Sequence, residues 1–223
     1  LDREDDRLSS WVLPIQPPVG LYPGPVREGL ATEWIAEDGP ARIIARHREL
    51  VLLQLSEGTL GWAPADDVSP VSRTGGRGAF VRSLEAGGLI AVQGSELEAI
   101  RGTLEAAAAS KTPYRLGGRD FVGGVDCSSL IQLVIHRYTG VWLPRHSGDQ
   151  RRCGERVALG SRDRDDLLFV RARHRRWMHV GYLLNPGEVL HACRLDGVVR
   201  RESADSFLER YRFIGVRRLF RVG

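Results

Sequence analysis

The chain has 223 residues, 42% hydrophobic and 27% charged, enough to bury one large core or two smaller ones. Its formal net charge is only +4, and no apolar run approaches the ~18 residues of a membrane span. Three cysteines, Cys127, Cys153 and Cys193, with no CxxC spacing fit neither a disulfide scaffold nor a standard zinc site.

Residues 1–75 are rich in Pro and Gly and break into short apolar runs. WVLPIQPPVGLY at 11–22 reads as a strand entering a long turn, ARIIARH at 41–47 and ELVLLQL at 49–55 as strands, and EGTLGWAPADDV at 57–68 as a turn with a further strand. Short strands separated by turn residues predict a small all-β barrel or sandwich. Gly61-Trp62 followed by Asp66-Asp67-Val68 resembles a bacterial SH3-like module over about sixty residues.

Residues 76–94 read as a linker or extra strand: RTGGRGAF at 73–80 has loop composition, and LIAVQG at 89–94 could add a strand. A second domain is expected over 95–223. Ser95 is the expected cap of its first helix, with Glu98 three residues on as in a capping box. The next helix should start near Asp126, because Cys127, Leu130, Ile131, Val134 and Tyr138 share one face, and should end at Gly140. Strand-like runs follow at 166–170, 178–184, 188–193 and 213–220, an α+β order. Between two of them lies RARHRR at 171–176, the densest basic cluster. It reads as a solvated loop rather than a nucleic-acid face, with contact to an anionic substrate as the alternative.

Cys127 carries the chemical argument. Gly123 and Gly124 allow a tight entry into the helix, Asp126 is the natural cap, and the helix start should lower the thiol pKa from its free value of ~8.5. Alternation puts His179, Gly181 and Leu183 on one face of their strand, where Gly181 would leave open space. It puts Val189, His191 and Cys193 on one face of theirs. Neighbouring antiparallel strands would bring the two imidazoles together, giving nucleophile, base and orienting group. His136 falls out of phase with Cys127 and reads as structural, as do His47 and His174, while His146, following LPR, is expected to be exposed, with ligand contact as the alternative. Cys193 is expected to be a buried spectator thiol, with a redox partner for Cys127 as the alternative.

Five segments occur in order: YRLGG at 114–118, DCSSL at 126–130, LPRHSGDQ at 143–150, HVG at 179–181 and LHA at 190–192. Together they resemble the NlpC-type family of papain-like cell-wall cysteine peptidases. The family's usual Trp is replaced by Leu116, a Gly by Ser129, and Asp165-Asp166 stands where Gly-Asp is common. The resemblance implies a papain-like domain with helices packed on an antiparallel sheet. It implies Cys127 as nucleophile, His179 as general base, His191 as the polar third member and Tyr114 as an oxyanion donor, with no metal or organic cofactor.

With an SH3-like first domain, the chain resembles γ-D-glutamyl-L-diamino acid endopeptidases. The substrates implied are peptidoglycan stem peptides or muropeptide fragments bearing a free N-terminal L-Ala. Asp126, Ser128 and Ser147 would line the amine pocket, with Glu33 or Glu28 as a first-domain acid. The chain is expected to be a monomer with no nucleic-acid partner. Its compartment is left open between recycling in the cytoplasm and secretion to the wall. Competing readings are an inactive wall-binding protein, a cysteine acyltransferase on the same fold class, and a metal-dependent hydrolase using Cys127, His179 and His191.

Overall fold

Proline and glycine punctuation keeps the strands of the N-terminal region short. The computed structural model describes residues 11–71, 84–173 and 177–223, which divide into two units. The linker segment at 73–80 and His174 lie outside the described residues, as does half of the basic cluster.

The first unit comprises residues 11–71 together with Leu116–Arg119. Strands β1 (Trp11–Pro14), β4 (Ala41–His47), β5 (Leu50–Gln54), β6 (Leu60–Pro64) and β7 (Val68–Pro70) form one antiparallel sheet in the order β6-β5-β4-β1-β7. A separate ribbon pairs β2 (Val19–Leu21) with β3 (Thr32–Trp34). Val12, Leu21, Trp34, Ile43 and Leu53 fill the core beneath them. The sheet is open, and no closed barrel is found among the described residues. Gly61 is required by packing: a Cβ there would stand 2.6 Å from that of Leu21, closer than carbon atoms can approach.

The second unit comprises residues 84–115 and 120–223. Helix α1 (Gly94–Ala109) starts at a different cap from the one expected. Gln93 precedes it, with its N–H donating to Glu96 Oε2 at 2.7 Å, so the capping pair sits two residues upstream of Ser95 and Glu98. Strands β9 (Arg119–Asp120) and β10 (Gly124–Val125) precede helix α2 (Cys127–Thr139). Beyond α2 come α3 (Ser147–Gln150), β11 (Glu155–Val157), β12 (Leu167–Arg171), β13 (Met178–Asn185), β14 (Glu188–Cys193), β15 (Val198–Ser203), α4 (Ala204–Arg210) and β16 (Arg212–Arg218). The six strands pair antiparallel in the order β11-β16-β12-β13-β14-β15. The run at 89–94 does supply a strand, β8 (Ile90–Val92), which pairs in parallel with β17 (Phe220–Val222).

Period-2 alternation sorts this sheet into two buried faces. Leu167, Phe169, Val180, Tyr182 and Leu190 pack with α1 and α2; Leu168, Val170, Leu183 and Val189 pack with Phe207 and Tyr211 at α4. A polar clamp ties α1 to β13: Arg101 Nη1 donates to both oxygens of Asp165, at 3.0 and 2.9 Å, and Tyr182 Oη donates to Asp165 at 2.7 Å. Asp165 has φ of 70°, the left-handed region that favours glycine and that aspartate tolerates better than most residues. No helix among the described residues is long and apolar enough to cross a membrane.

Candidate active site

Helix α2 begins where the sequence predicts, and the reason is local. Asp126 Oδ1 accepts the Ser129 N–H at 2.8 Å, while the Asp126 N–H donates to Ser129 Oγ at 2.9 Å. Gly140 closes the helix in the left-handed conformation, with φ of 68°. Arg145 and Gln150 of LPRHSGDQ then fasten the helix start. Arg145 Nη2 lies 2.6 Å from Asp126 Oδ2, its Nη1 donates to Ser128 Oγ at 3.0 Å, and Gln150 Nε2 donates to the carbonyl oxygens of Ser128 and Pro144 at 2.9 Å.

Val180 of β13 packs in the same buried cluster as Cys127, and the N–H groups of Val180 and Ser128 favour the charged form of its sulfur. The first of these has a topological cause. Leu183 bonds toward β12, through its N–H to Asp166 O and its carbonyl to the Asp165 N–H, so even-numbered residues of β13 face β14. The β13–β14 pairing runs only from Tyr182↔Leu190 to Asn185↔Glu188. Toward His179 that ladder lapses, so Val180 has no partner in β14 and its N–H can favour charge on the sulfur. The thiol is thereby set against the residue next to His179.

Neighbouring antiparallel strands do bring the two imidazoles together: His179 Nε2 and His191 Nδ1 are 2.8 Å apart. His191 Nε2 in turn lies 2.7 Å from Glu202 Oε1. Trp177, Phe207 and Tyr211 stand against the ring of His179, with centroids 6.0, 5.6 and 5.3 Å away. Gly181 does not leave the open space expected of it. A Cβ at that position would stand 2.4 Å from Val189 Cγ2 and 3.5 Å from His191 Cβ, so glycine here admits the neighbouring strand's side chains.

Burial dominates the electrostatics. It pushes the Cys127 thiol up to about 12, reinforced by the Asp126 carboxylate and opposed by the Val180 N–H, Arg145 and the Ser128 N–H. This corrects the expectation that the helix start would lower the thiol: desolvation of the buried sulfur outweighs the helix terminus and the two N–H groups. Burial, then His191, holds His179 well below the usual histidine range. The resting pair is therefore a neutral thiol and a neutral imidazole. Alkylation of Cys127 by a small haloacetamide should accordingly keep rising with pH past about pH 9. A plateau from about pH 6, as a preformed thiolate–imidazolium pair gives, would contradict this state.

Other predicted residues fall as follows. Tyr114 is half-buried, and its phenol is pushed up by burial and then by the charge of Cys127, so it stays protonated and able to donate. Asp126 and Ser128 are together at the helix start, but the Asp126 carboxylate is already paired with Arg145. Burial alone would raise that carboxyl; Arg145 outweighs burial and holds it below the usual range. Ser147 is buried at the first residue of α3. Glu33 lies buried in the first unit, with Oε2 accepting the Arg119 N–H at 2.8 Å, and Glu28 is exposed. His136 stacks on Trp142 with centroids 3.6 Å apart, and the buried Cys193 thiol donates to Asp196 at 3.1 Å.

Sequence reading missed Arg145, Glu202 and Tyr211. The signal for Arg145 was an arginine inside an otherwise recognised motif. For Glu202 it was only an acid at a strand position two residues from Arg200, which pairs across from His191.

Residues 111–218 match the NlpC/P60 family model. A probable endopeptidase NlpC homolog of Haemophilus influenzae is 32% identical over 87 residues, 39% of this chain and 45% of the relative. A gamma-DL-glutamyl hydrolase of Bacillus subtilis is 31% identical over 87 residues, 39% of this chain and 21% of the relative. The chain thus spans less than half the length of either curated relative. An NlpC/P60 family protein from Bacillus cereus, known from a crystal structure, is 20% identical with a TM-score of 0.48, covering 96% of this chain and 65% of that one. The segment that carries Cys127, His179 and His191 is thus the part of the chain that matches the NlpC/P60 family model and the two curated relatives, named an endopeptidase and a glutamyl hydrolase.

Proposed function

We propose that the protein is a cysteine peptidase acting on peptidoglycan-derived peptides, with Cys127 as nucleophile, His179 as general base and His191 as its orienting partner. The observation that carries this reading is the 2.8 Å imidazole pair, with the helix-start Cys127 in the same buried cluster as Val180, the residue next to His179. The names of the two curated relatives, an endopeptidase and a glutamyl hydrolase, support an amide bond following glutamate as the target.

In the proposed reaction the thiol proton passes to His179 as sulfur attacks the amide carbon, so that attack and deprotonation are coupled. The oxyanion is met by the Cys127 N–H, one of the donors at a helix start without an intrahelical acceptor, and by the protonated Tyr114 phenol. The imidazolium then protonates the leaving amine of the diamino acid. Water, deprotonated by the same ring, hydrolyses the thioester.

The finer reading is cleavage of the γ-D-glutamyl–diamino acid bond in fragments with a free N-terminal L-Ala, the first unit serving as an SH3-like selector. Asp126, Ser128, Ser147 and Glu33 are the residues proposed to meet the amine. Because Arg145 already pairs with Asp126, that carboxylate would meet the ammonium as part of a polar network rather than as an isolated charge.

The test is turnover of L-Ala-γ-D-Glu-diamino acid beside the same peptide acylated at its amine. Cleavage of the free peptide alone, lost in Cys127→Ala, is the expected result. Equal cleavage of both would refute amine selection, and unchanged turnover by Cys127→Ala would refute the cysteine mechanism.

A further inference from the structure

The chain of contacts does not stop at His191. Glu202 sits on β15, where the cross-strand pairs are Val189↔Glu202 and His191↔Arg200, so the acid lies diagonally across from His191 on the same face of the sheet. It is almost wholly buried, with Oε1 2.7 Å from His191 Nε2 and Oε2 paired with the Arg210 guanidinium from α4.

Hydrogen-bond inventory then fixes the protons. A carboxylate only accepts, so His191 Nε2 must carry the hydrogen. In a neutral ring that leaves the lone pair on His191 Nδ1. The nitrogen 2.8 Å away, His179 Nε2, must therefore donate. His179 is then bare at Nδ1, the one ring nitrogen still able to take a proton. The opposite order would place N–H on His191 Nδ1 and on His179 Nδ1 and leave a lone pair facing the Glu202 carboxylate.

We infer that Glu202, held by Arg210, is a positioning residue that sets the tautomer of His191 and, through it, of His179, keeping Nδ1 of His179 free to receive the Cys127 proton. This rests on the proposed cysteine-peptidase reading and extends its imidazole pair to a three-member relay. The charged and titratable groups around the relay are Arg210 from α4, Arg200 on β15, Asp126 at the cap of α2, Cys127 at its first residue, Cys193 on β14, and Tyr211 after α4. The two arginines favour an ionised Glu202. Burial pushes that carboxyl up, but the His191 hydrogen bond and charge, then Arg210 and Arg200, outweigh burial and hold it below the usual range.

The deciding measurement is nitrogen NMR of the ¹⁵N-histidine-labelled full chain at neutral pH, with steady-state kinetics on the peptide above. In the unsubstituted protein, His179 is expected to be protonated at Nε2 and bare at Nδ1. Glu202→Gln, which can turn its amide N–H toward His191, should shift His179 toward the opposite tautomer. It should lower kcat by about 10²- to 10³-fold with KM little changed, somewhat less than a tautomer-setting acid bonded directly to the catalytic imidazole. Glu202→Asp, which keeps the carboxylate, should recover at least about tenfold of that loss. Protonation of His179 at Nδ1 in the unsubstituted protein overturns the inference, and that spectrum decides even if Glu202→Gln does not fold. So does wild-type kcat with an unaltered tautomer in a folded Glu202→Gln. Loss of the peptidase reading would show separately, as full turnover by Cys127→Ala, because the spectrum needs no turnover.

Discussion

His179→Ala is expected to lower kcat by roughly 10³- to 10⁴-fold, the upper part of what a general base contributes. The size follows from the resting protonation state. With the thiol pushed up to about 12, only a minute fraction is thiolate at neutral pH, so attack depends on a partner that accepts the proton during the step. His179 is suited to that role because burial keeps it neutral and its Nε2 is fixed to His191. Among the described residues, the neighbouring imidazole of His191 cannot substitute, because it is engaged on both ring nitrogens.

The same logic gives the sign of the pH dependence. Protonating His179 removes the base, and its affinity for protons is depressed, so turnover should persist as pH falls below 6.5 and fail only further down. Truncation also leaves space among Trp177, Phe207 and Tyr211, so rates must be taken per folded molecule. Alkylation of Cys127 in the variant at alkaline pH would show that the nucleophile survives. A kcat within about tenfold of the unsubstituted protein would remove His179 from the base role.

What could be read from sequence was local. The start and end of α2 follow from Asp126 and Gly140, whose capping partners lie within four residues, and the shared face of His179 and His191 follows from strand alternation once the strands pair. Elements carrying mixed signals were lost. β15 reads VVRRES, in which only Val199 and Glu202 are buried, and α4 is a single short amphipathic stretch behind Ser203. Glu202 was invisible because its significance depends on a diagonal contact across two strands. Burial itself was the larger omission. A cysteine at a helix start predicts a lowered pKa only while water still reaches the sulfur, and enclosure between α2 and the splayed end of β13 reverses the outcome. Gly181 failed for a related reason: a missing side chain reads as space, whereas Val189 already fills it.

Nor does any local pattern place Leu116–Arg119 in the first unit, and the consequence is the largest stability effect expected there. Arg119 is buried, with Nη1 and Nη2 donating to the Asp38 carboxylate at 2.6 and 2.8 Å and Nη1 also to Glu33 O at 3.0 Å. Asp38 is built into the turn it closes, accepting the Ile35 N–H at 3.0 Å, and its carbonyl accepts from Ser56 Oγ at 2.8 Å. Glu57 lies buried nearby, its carboxyl pushed up by burial and then by Asp38, with Arg119 opposing.

Arg119→Met would keep most of the stem volume while leaving the Asp38 charge enclosed without its counter-ion. Breaking one side of such a pair costs about 3–5 kcal/mol, whereas replacing both sides is often far milder. Arg119→Met should therefore destabilise the first unit by that amount in denaturant titrations followed through Trp34, whose indole N–H donates to Gly39 O at 3.0 Å beside the same turn. Adding Asp38→Asn should restore about half or more of the loss, since an amide can still accept the Ile35 N–H without carrying charge. A single variant within about 1 kcal/mol of the unsubstituted protein, or a double variant no better than the single, would mean that solvent reaches this pair and that the turn is held by its backbone bonds alone.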